Sequence, residues 1–156
     1  MRLALAALFV TALSINPALA DITGPAIVTD GDSLKIDGQR IRIHGIDAPE
    51  AKQLCQHDGE PWQCGKSATQ ALKLWIGDRQ VSCEELDRDR YKRIVAKCLV
   101  DGQDLGEWMV FNGWAVAYLR YSYEYTRAEH FANTDKRGIW ASEFEMPWSW
   151  RKAQRQ

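Results

Sequence analysis

The sequence predicts an α+β fold, a small antiparallel barrel of about five strands with about three short helices on one side. Strand-like runs dominate the first two-thirds of the 156 residues, and the helical spacing comes in short stretches around and after them. Asp37-Gly38 stands where a two-residue hairpin turn would join two such runs, and Asp101-Gly102 marks a turn after the later pair. Strands and helices do not alternate as a doubly wound parallel sheet requires.

The elements follow in order. Met1-Arg2, the apolar run Leu3 to Leu13, the break at Asn16-Pro17 and Ala18-Leu19-Ala20 together read as a secretory leader over residues 1–20. The run is too short for a permanent membrane span. Removing twenty of 156 residues leaves one domain, 21–156, large enough for its own core. AIVTDGDSLKI and QRIRIHGI read as strands around the Asp37-Gly38 turn. Cys64 to Ile76 has helical spacing, with Ala68, Ala71, Leu72 and Trp75 on one face and Gly77 at its end. VSCEEL and RIVAKCLV form a second hairpin; Leu105 to Phe111 is a short helix stopped by Asn112-Gly113. WAVAYL reads as a last strand finishing the sheet, Ser122 to Lys136 as a helix, and EMPWSWRK as an aromatic tail packed onto the body. Seven tryptophans are many for this length; Trp75, Trp108 and Trp140 are expected to fill the core.

Four cysteines in an exported chain point to disulfides, and four allow three connectivities. If VSCEEL and RIVAKCLV pair as a hairpin, Cys83 and Cys98 fall roughly opposite each other. Cys55 and Cys64 then close the loop LCQHDGEPWQCG. A zinc site is disfavoured, because neither spacing is C-x-x-C and no histidine stands at ligand spacing. Twenty basic residues face twenty-one acidic ones, and loss of Arg2 leaves nineteen. That balance excludes a protein that coats nucleic acid by bulk charge, so any phosphate chemistry must lie in a focused site.

The segment from Thr29 to Glu50 offers such a site. The Asp37-Gly38 turn sets residues 32–36 against 39–43, and alternation puts Arg42 on the face opposite Ile41 and Ile43. Asp30, Asp32, Asp47 and Glu50 then converge with Arg42 at one end of the hairpin. Gathered carboxylates repel unless a cation sits among them, and oxygen donors of this kind suit Ca²⁺ or Mg²⁺. A single Asp-Gly turn would be ordinary solvated surface; the set with an interleaved arginine is not.

DGDS, R-I-H-G-I-D-A-P-E and D-R-Y-K-R (Asp89 to Arg93), in this order, resemble the staphylococcal-nuclease-like family. The resemblance continues through E-W-M-V-F-N-G-W-A, A-E…G-I-W and P-W-S-W-R, across essentially the whole of 21–156. It implies a five-stranded OB-fold barrel with three helices and Ca²⁺-dependent cleavage of DNA and RNA. By position it implies Asp32 and Asp47 as calcium carboxylates, with the Ala48 carbonyl beside them and Asp30 in support. Glu50 would activate or position the attacking water, while Arg42 and Arg93 would hold the phosphate. Arg90 and Tyr91 would meet a terminal phosphate, and Tyr118 lies nearest the nucleotide. Lys92 stands where the family often has Gly, which strains the loop carrying Arg93 if that position is left-handed. Ser33 replaces a more usual Thr, and the Cys55–Cys64 loop replaces a longer, lysine-rich one. His44, His57 and His130 match no catalytic position and read as structural or solvent-facing.

The sequence thus leads to an exported, periplasmic or secreted, monomeric nuclease of single-stranded DNA or RNA, with no membrane anchor once the leader is removed. The alternative is an OB-type envelope module that binds an anionic polymer without cutting it.

Overall fold

The computed structural model describes residues 21–155. The expected leader lies outside them. Strand β1 (Ile22–Asp30) leads into the β2 (Ser33–Ile36) and β3 (Gln39–Ile43) hairpin, then β4 (Ile46–Asp47). A small hairpin, β5 (Cys55–His57) and β6 (Glu60–Trp62), precedes α1 (Cys64–Ile76). Next come β7 (Gln80–Arg88), β8 (Ile94–Val100), β9 (Gln103–Asp104) and α2 (Leu105–Phe111). After β10 (Val116–Ala117) and α3 (Thr126–Thr134), a 3₁₀ turn (Gly138–Ala141) leads to α4 (Pro147–Ala153).

The main sheet runs β3-β2-β1-β7-β8-β9, and a β3–β8 pairing shuts it into a barrel of five principal strands. The α+β barrel therefore stands as read, with one difference of polarity. The closing pair is parallel, Ile41 beside Ile94 and Ile43 beside Ala96, while the other barrel pairs are antiparallel. The closing strands are fifty-odd residues apart in sequence, so no hairpin logic could reveal their direction. Asp37-Gly38 has φ of 48° and 76°, the both-positive pattern of a turn that matches strand twist. Asp58-Gly59 and Asp101-Gly102 repeat it, and the first of these makes a hairpin of what read as a loop.

Alternation along β3 and β8 turns Ile41, Ile43, Ile94, Ala96, Cys98 and Val100 inward, where they meet Leu34, Ile36, Leu72, Ile76 and Met109. Trp75 and Trp108 stack at 4.4 Å against this core. Trp140 joins a second cluster around Cys55, Cys64 and Ile139, as packing rather than ligand stacking. Both expected disulfides are present, Cys55–Cys64 and Cys83–Cys98, the latter between residues paired in register across β7 and β8.

Three expectations need correction. WAVAYL does not finish the barrel sheet: only Val116–Ala117 pairs, and it pairs with β4, opposite Asp47 and Ile46. Beyond it the chain turns at once, with Tyr121 and Ser122 amides donating to the Tyr118 carbonyl. The helix expected over 122–136 is shorter, Thr126–Thr134. The count of three helices becomes four: the aromatic tail packs onto the body as expected, but as a helix started by Pro147 at its first turn, where a missing N–H costs nothing.

Candidate active site

A β-bulge at Thr29 breaks the β1–β2 register, so that Asp30 pairs with Ser33 and its side chain is re-aimed. Ser33 in turn pairs with Arg42. The hairpin therefore brings Asp30, Asp32 and Arg42 together. Arg42 points away from the barrel core, as the alternation required, into a cleft of about 900 Å³. Asp30, Asp32, Glu50, Arg90, Tyr91, Arg93 and Tyr118 line the same cleft.

Arg42 bridges two acids. One Nη pairs with Asp32, and the other donates to Asp47 Oδ1 at 2.8 Å and to the Ile46 carbonyl at 3.1 Å. Burial works against its charge, but the two carboxylates outweigh that and hold it further above the ordinary guanidinium range. Burial would likewise raise the Asp32 carboxyl; Arg42, the Ala48 N–H and the Ser33 hydroxyl hold it below the usual carboxylate range instead. Ala48 is buried, as is Asp47, which lies beneath the cleft rather than on its wall.

Arg93 owes its place to the Asp89 turn. The Asp89 carboxylate accepts from the Tyr91 and Arg93 amides and from Arg93 Nε at 2.7 Å. Burial would raise the Asp89 carboxyl, and those Arg93 contacts bring it down instead. Arg93 Nη1 points to Ser33 Oγ at 3.5 Å, leaving the outer edge of the fork open to the cleft. This explains the D-x-Y-x-R spacing: the acid folds the loop and orients the arginine. Lys92 does have a left-handed φ of 60°, so the strain that a non-glycine brings there is real. Arg90 hydrogen-bonds the Tyr91 hydroxyl at 2.7 Å, which holds that phenol below its ordinary range. Arg40 donates to the Tyr91 carbonyl. Tyr118 stacks on Trp148 at 5.3 Å, with Tyr121 edge-on to it.

Glu50 follows the Pro49 bend. Its amide donates to Gln53 Oε1, its carbonyl accepts from the Gln53 amide at 2.7 Å, and a Cβ at Gly65 would overlap that carbonyl. Gln53 is fully buried and ties the bend to the Glu145 carbonyl at 2.6 Å. Sequence alone assigns no role in the site to Gln53 or to Arg151. The Arg151 fork grips both oxygens of Asp47 at 2.9 and 2.8 Å and Glu50 Oε1 at 2.7 Å. The available signal was Trp148 and Arg151 three residues apart after a helix-starting proline, readable only if the tail is a helix. His44 lines the cleft, while His57 bonds the Ala141 carbonyl from the surface.

The charges leave a deficit. Asp30, Asp32, Asp47 and Glu50 supply four negative charges against the two of Arg42 and Arg151. Asp30 has no cationic partner among the described residues; burial first, then the Asp32 and Glu50 charges, push its carboxyl up to about 6. A shortfall of two charges among oxygen donors fits a hard divalent ion. Among the described residues no three acidic, imidazole or thiolate groups stand close enough to share one ion. The protein's share of any such ion's shell would therefore be small, with water completing it.

A closed five-stranded barrel with carboxylates and arginines gathered at one cleft is an arrangement suited to phosphate-bearing ligands. A family model described as "Staphylococcal nuclease homologue" matches residues 40–142, and the chain belongs to that family, whose members are typically metal-dependent. It is 36% identical over 132 residues to the succinoglycan biosynthesis protein ExoI of Rhizobium meliloti (strain 1021), covering 82% of this chain and 69% of that one. It is 32% identical over 141 residues to an uncharacterized endonuclease of Escherichia coli, covering 85% and 86%. A probable staphylococcal-like nuclease, CAN1 of Oryza sativa subsp. japonica, is 33% identical over 128 residues, 80% of this chain but 36% of that longer one. The chain is thus a nuclease-family hydrolase domain, and the family implies a nucleic-acid substrate.

Proposed function

We propose that the protein is an exported, monomeric, Ca²⁺-dependent nuclease that hydrolyses phosphodiester bonds of single-stranded DNA or RNA. The observation that carries this is the shared cleft: the open edge of Arg93, Arg42 and the Glu50 carboxylate face one space above Asp30 and Asp32. A phosphodiester is already anionic and gains charge on its equatorial oxygens as water attacks. Arg93 offers that charge the open edge of its planar fork; Arg42, whose two Nη groups are already bonded to Asp32 and to Asp47 and the Ile46 carbonyl, offers its Nε–H and the second proton of the Nη that pairs with Asp32. Glu50 keeps Oε2 for a water, being bonded only through Oε1, and serves as the general base. Asp32, Asp47 and the Ala48 carbonyl would hold the ion, which would supply positive charge to offset that of the phosphate. Tyr118 supplies a face for a base, and Arg90 with Tyr91 the contacts for a neighbouring phosphate.

The relative in Rhizobium meliloti is named for succinoglycan biosynthesis, and a module that only binds a polymer is the competing reading. A binding module has no use for a carboxylate held by an arginine through one oxygen with the other free for water. The test uses residues 21–156 with both disulfides formed, incubated with heat-denatured DNA and with RNA. Degradation in millimolar calcium, absent in excess chelator and reduced about a hundred- to a thousandfold in Glu50→Gln, is expected. Intact polymer with folded wild-type protein in every divalent cation overturns the reading.

A further inference from the structure

Glu50 is held in two separable ways. Gln53 and Gly65 fix its backbone. Among the described residues its carboxylate has a single side-chain partner, Arg151, which comes from a helix a hundred residues further along the chain. The same guanidinium is bidentate to Asp47, whose side chain is fully buried and cannot turn away. Asp47 therefore fixes Arg151, and Arg151 fixes Glu50. The helix that delivers Arg151 is itself anchored to the cleft: Trp148 stacks on Tyr118, Pro147 is buried, and Gln53 reaches the Glu145 carbonyl. Nη1 of Arg151 spends both its protons on Asp47 Oδ1 and Glu50 Oε1, which leaves that nitrogen none for a phosphate.

Resting on the nuclease reading, we propose that Arg151 is a positioning residue of the reaction: it clamps Glu50 to buried Asp47 so that the free carboxylate oxygen faces the cleft. The C-terminal helix is then part of the catalytic unit, not packing alone. It replaces, with one rigid ion-pair chain, the restraint that a mobile side chain on a bend would otherwise lack.

The experiment is a double-mutant cycle on denatured DNA with wild type, Arg151→Gln, Glu50→Gln and the double variant, together with Arg151→Lys. Arg151→Gln should lower kcat about ten- to a hundredfold, the usual cost of losing an orienting partner, with KM changed less than about twofold. In the Glu50→Gln background the same change should cost almost nothing further, because the group being positioned is already gone. Arg151→Lys keeps the charge and the stem but not the fork, and should lose about tenfold; it decides the matter if Arg151→Gln does not fold. The affinity of Glu50→Gln for a single-stranded oligonucleotide should be unchanged by adding Arg151→Gln. Weakened binding there would make Arg151 a phosphate contact and overturn the proposal. Losses that multiply in the double variant would overturn it too, as the mark of a structural role. Wild-type turnover in Arg151→Gln or Arg151→Lys defeats the positioning role alone, whereas inert wild type defeats the nuclease reading and the proposal with it.

Discussion

Two residues in the site sit in conditions that a stable protein would ordinarily avoid. Lys92 holds a left-handed φ of 60° so that the Asp89 turn can present Arg93. For a residue with a Cβ this costs about 1 kcal/mol. Lys92→Gly should therefore raise the melting temperature by about 2–4 °C and leave kcat at or above wild type, as thermal unfolding and initial rates would show. Asp30 carries its carboxyl at about 6, raised from 3.8. Between those values the folded, metal-free protein binds more protons than the unfolded chain, so stability falls as pH rises from about 4 to about 6 and then levels off. Asp30→Asn should remove that slope: a higher melting temperature than wild type at pH 7, and little difference at pH 4. Calcium should close the gap at pH 7 by stabilising the wild type. Melting curves across pH, with chelator and then with calcium, test both parts.

The short elements carry the site, and they were legible to different degrees. The β2–β3 hairpin was plain in the sequence because its turn chemistry, alternation and register are all local: Ser33 opposite Arg42 follows from Asp37-Gly38 alone. The Cys83–Cys98 bridge was legible for the same reason. What stayed hidden depends on contacts between distant segments. Gln53 looks like any polar loop residue until Glu145 is beside it, and Arg151 like any surface arginine until the tail is folded over β4. The strand expected of WAVAYL failed because its length was judged from apolarity, whereas only the two residues opposite β4 found a partner. At this scale the bend carrying Glu50 rests on the first turn of α1. Gly65→Ala places a methyl group against the Glu50 carbonyl oxygen, and the bend, not the helix, is the part free to move. The expected outcome is a loss of turnover of about a hundredfold with far-UV helicity retained, since a displacement near 1 Å is enough for that. Wild-type kcat in a folded Gly65→Ala would show that the bend accommodates the methyl.

Across the whole molecule the charges nearly cancel, twenty basic residues to twenty-one acidic, so attraction for a polyanion is confined to the cleft. With about three phosphate contacts, the logarithm of oligonucleotide affinity should fall against the logarithm of salt with a slope of about −2. A slope several times steeper would mean that a wide basic surface outside the cleft takes part. The barrel's closing seam has a consequence for folding. Arg42 lies on β3 beside Val95 of β8, one residue past Ile94 and two past Arg93. The two arginines therefore become neighbours only when strands some fifty residues apart find each other, the loop closure that most slows folding in a topology of this kind. Closing the barrel and bringing Arg42 beside Arg93 are then one event in time. In refolding from denaturant with both disulfides intact, hydrolysis should return at the rate of that closure, and no long-lived intermediate should have a shut barrel with its two arginines apart.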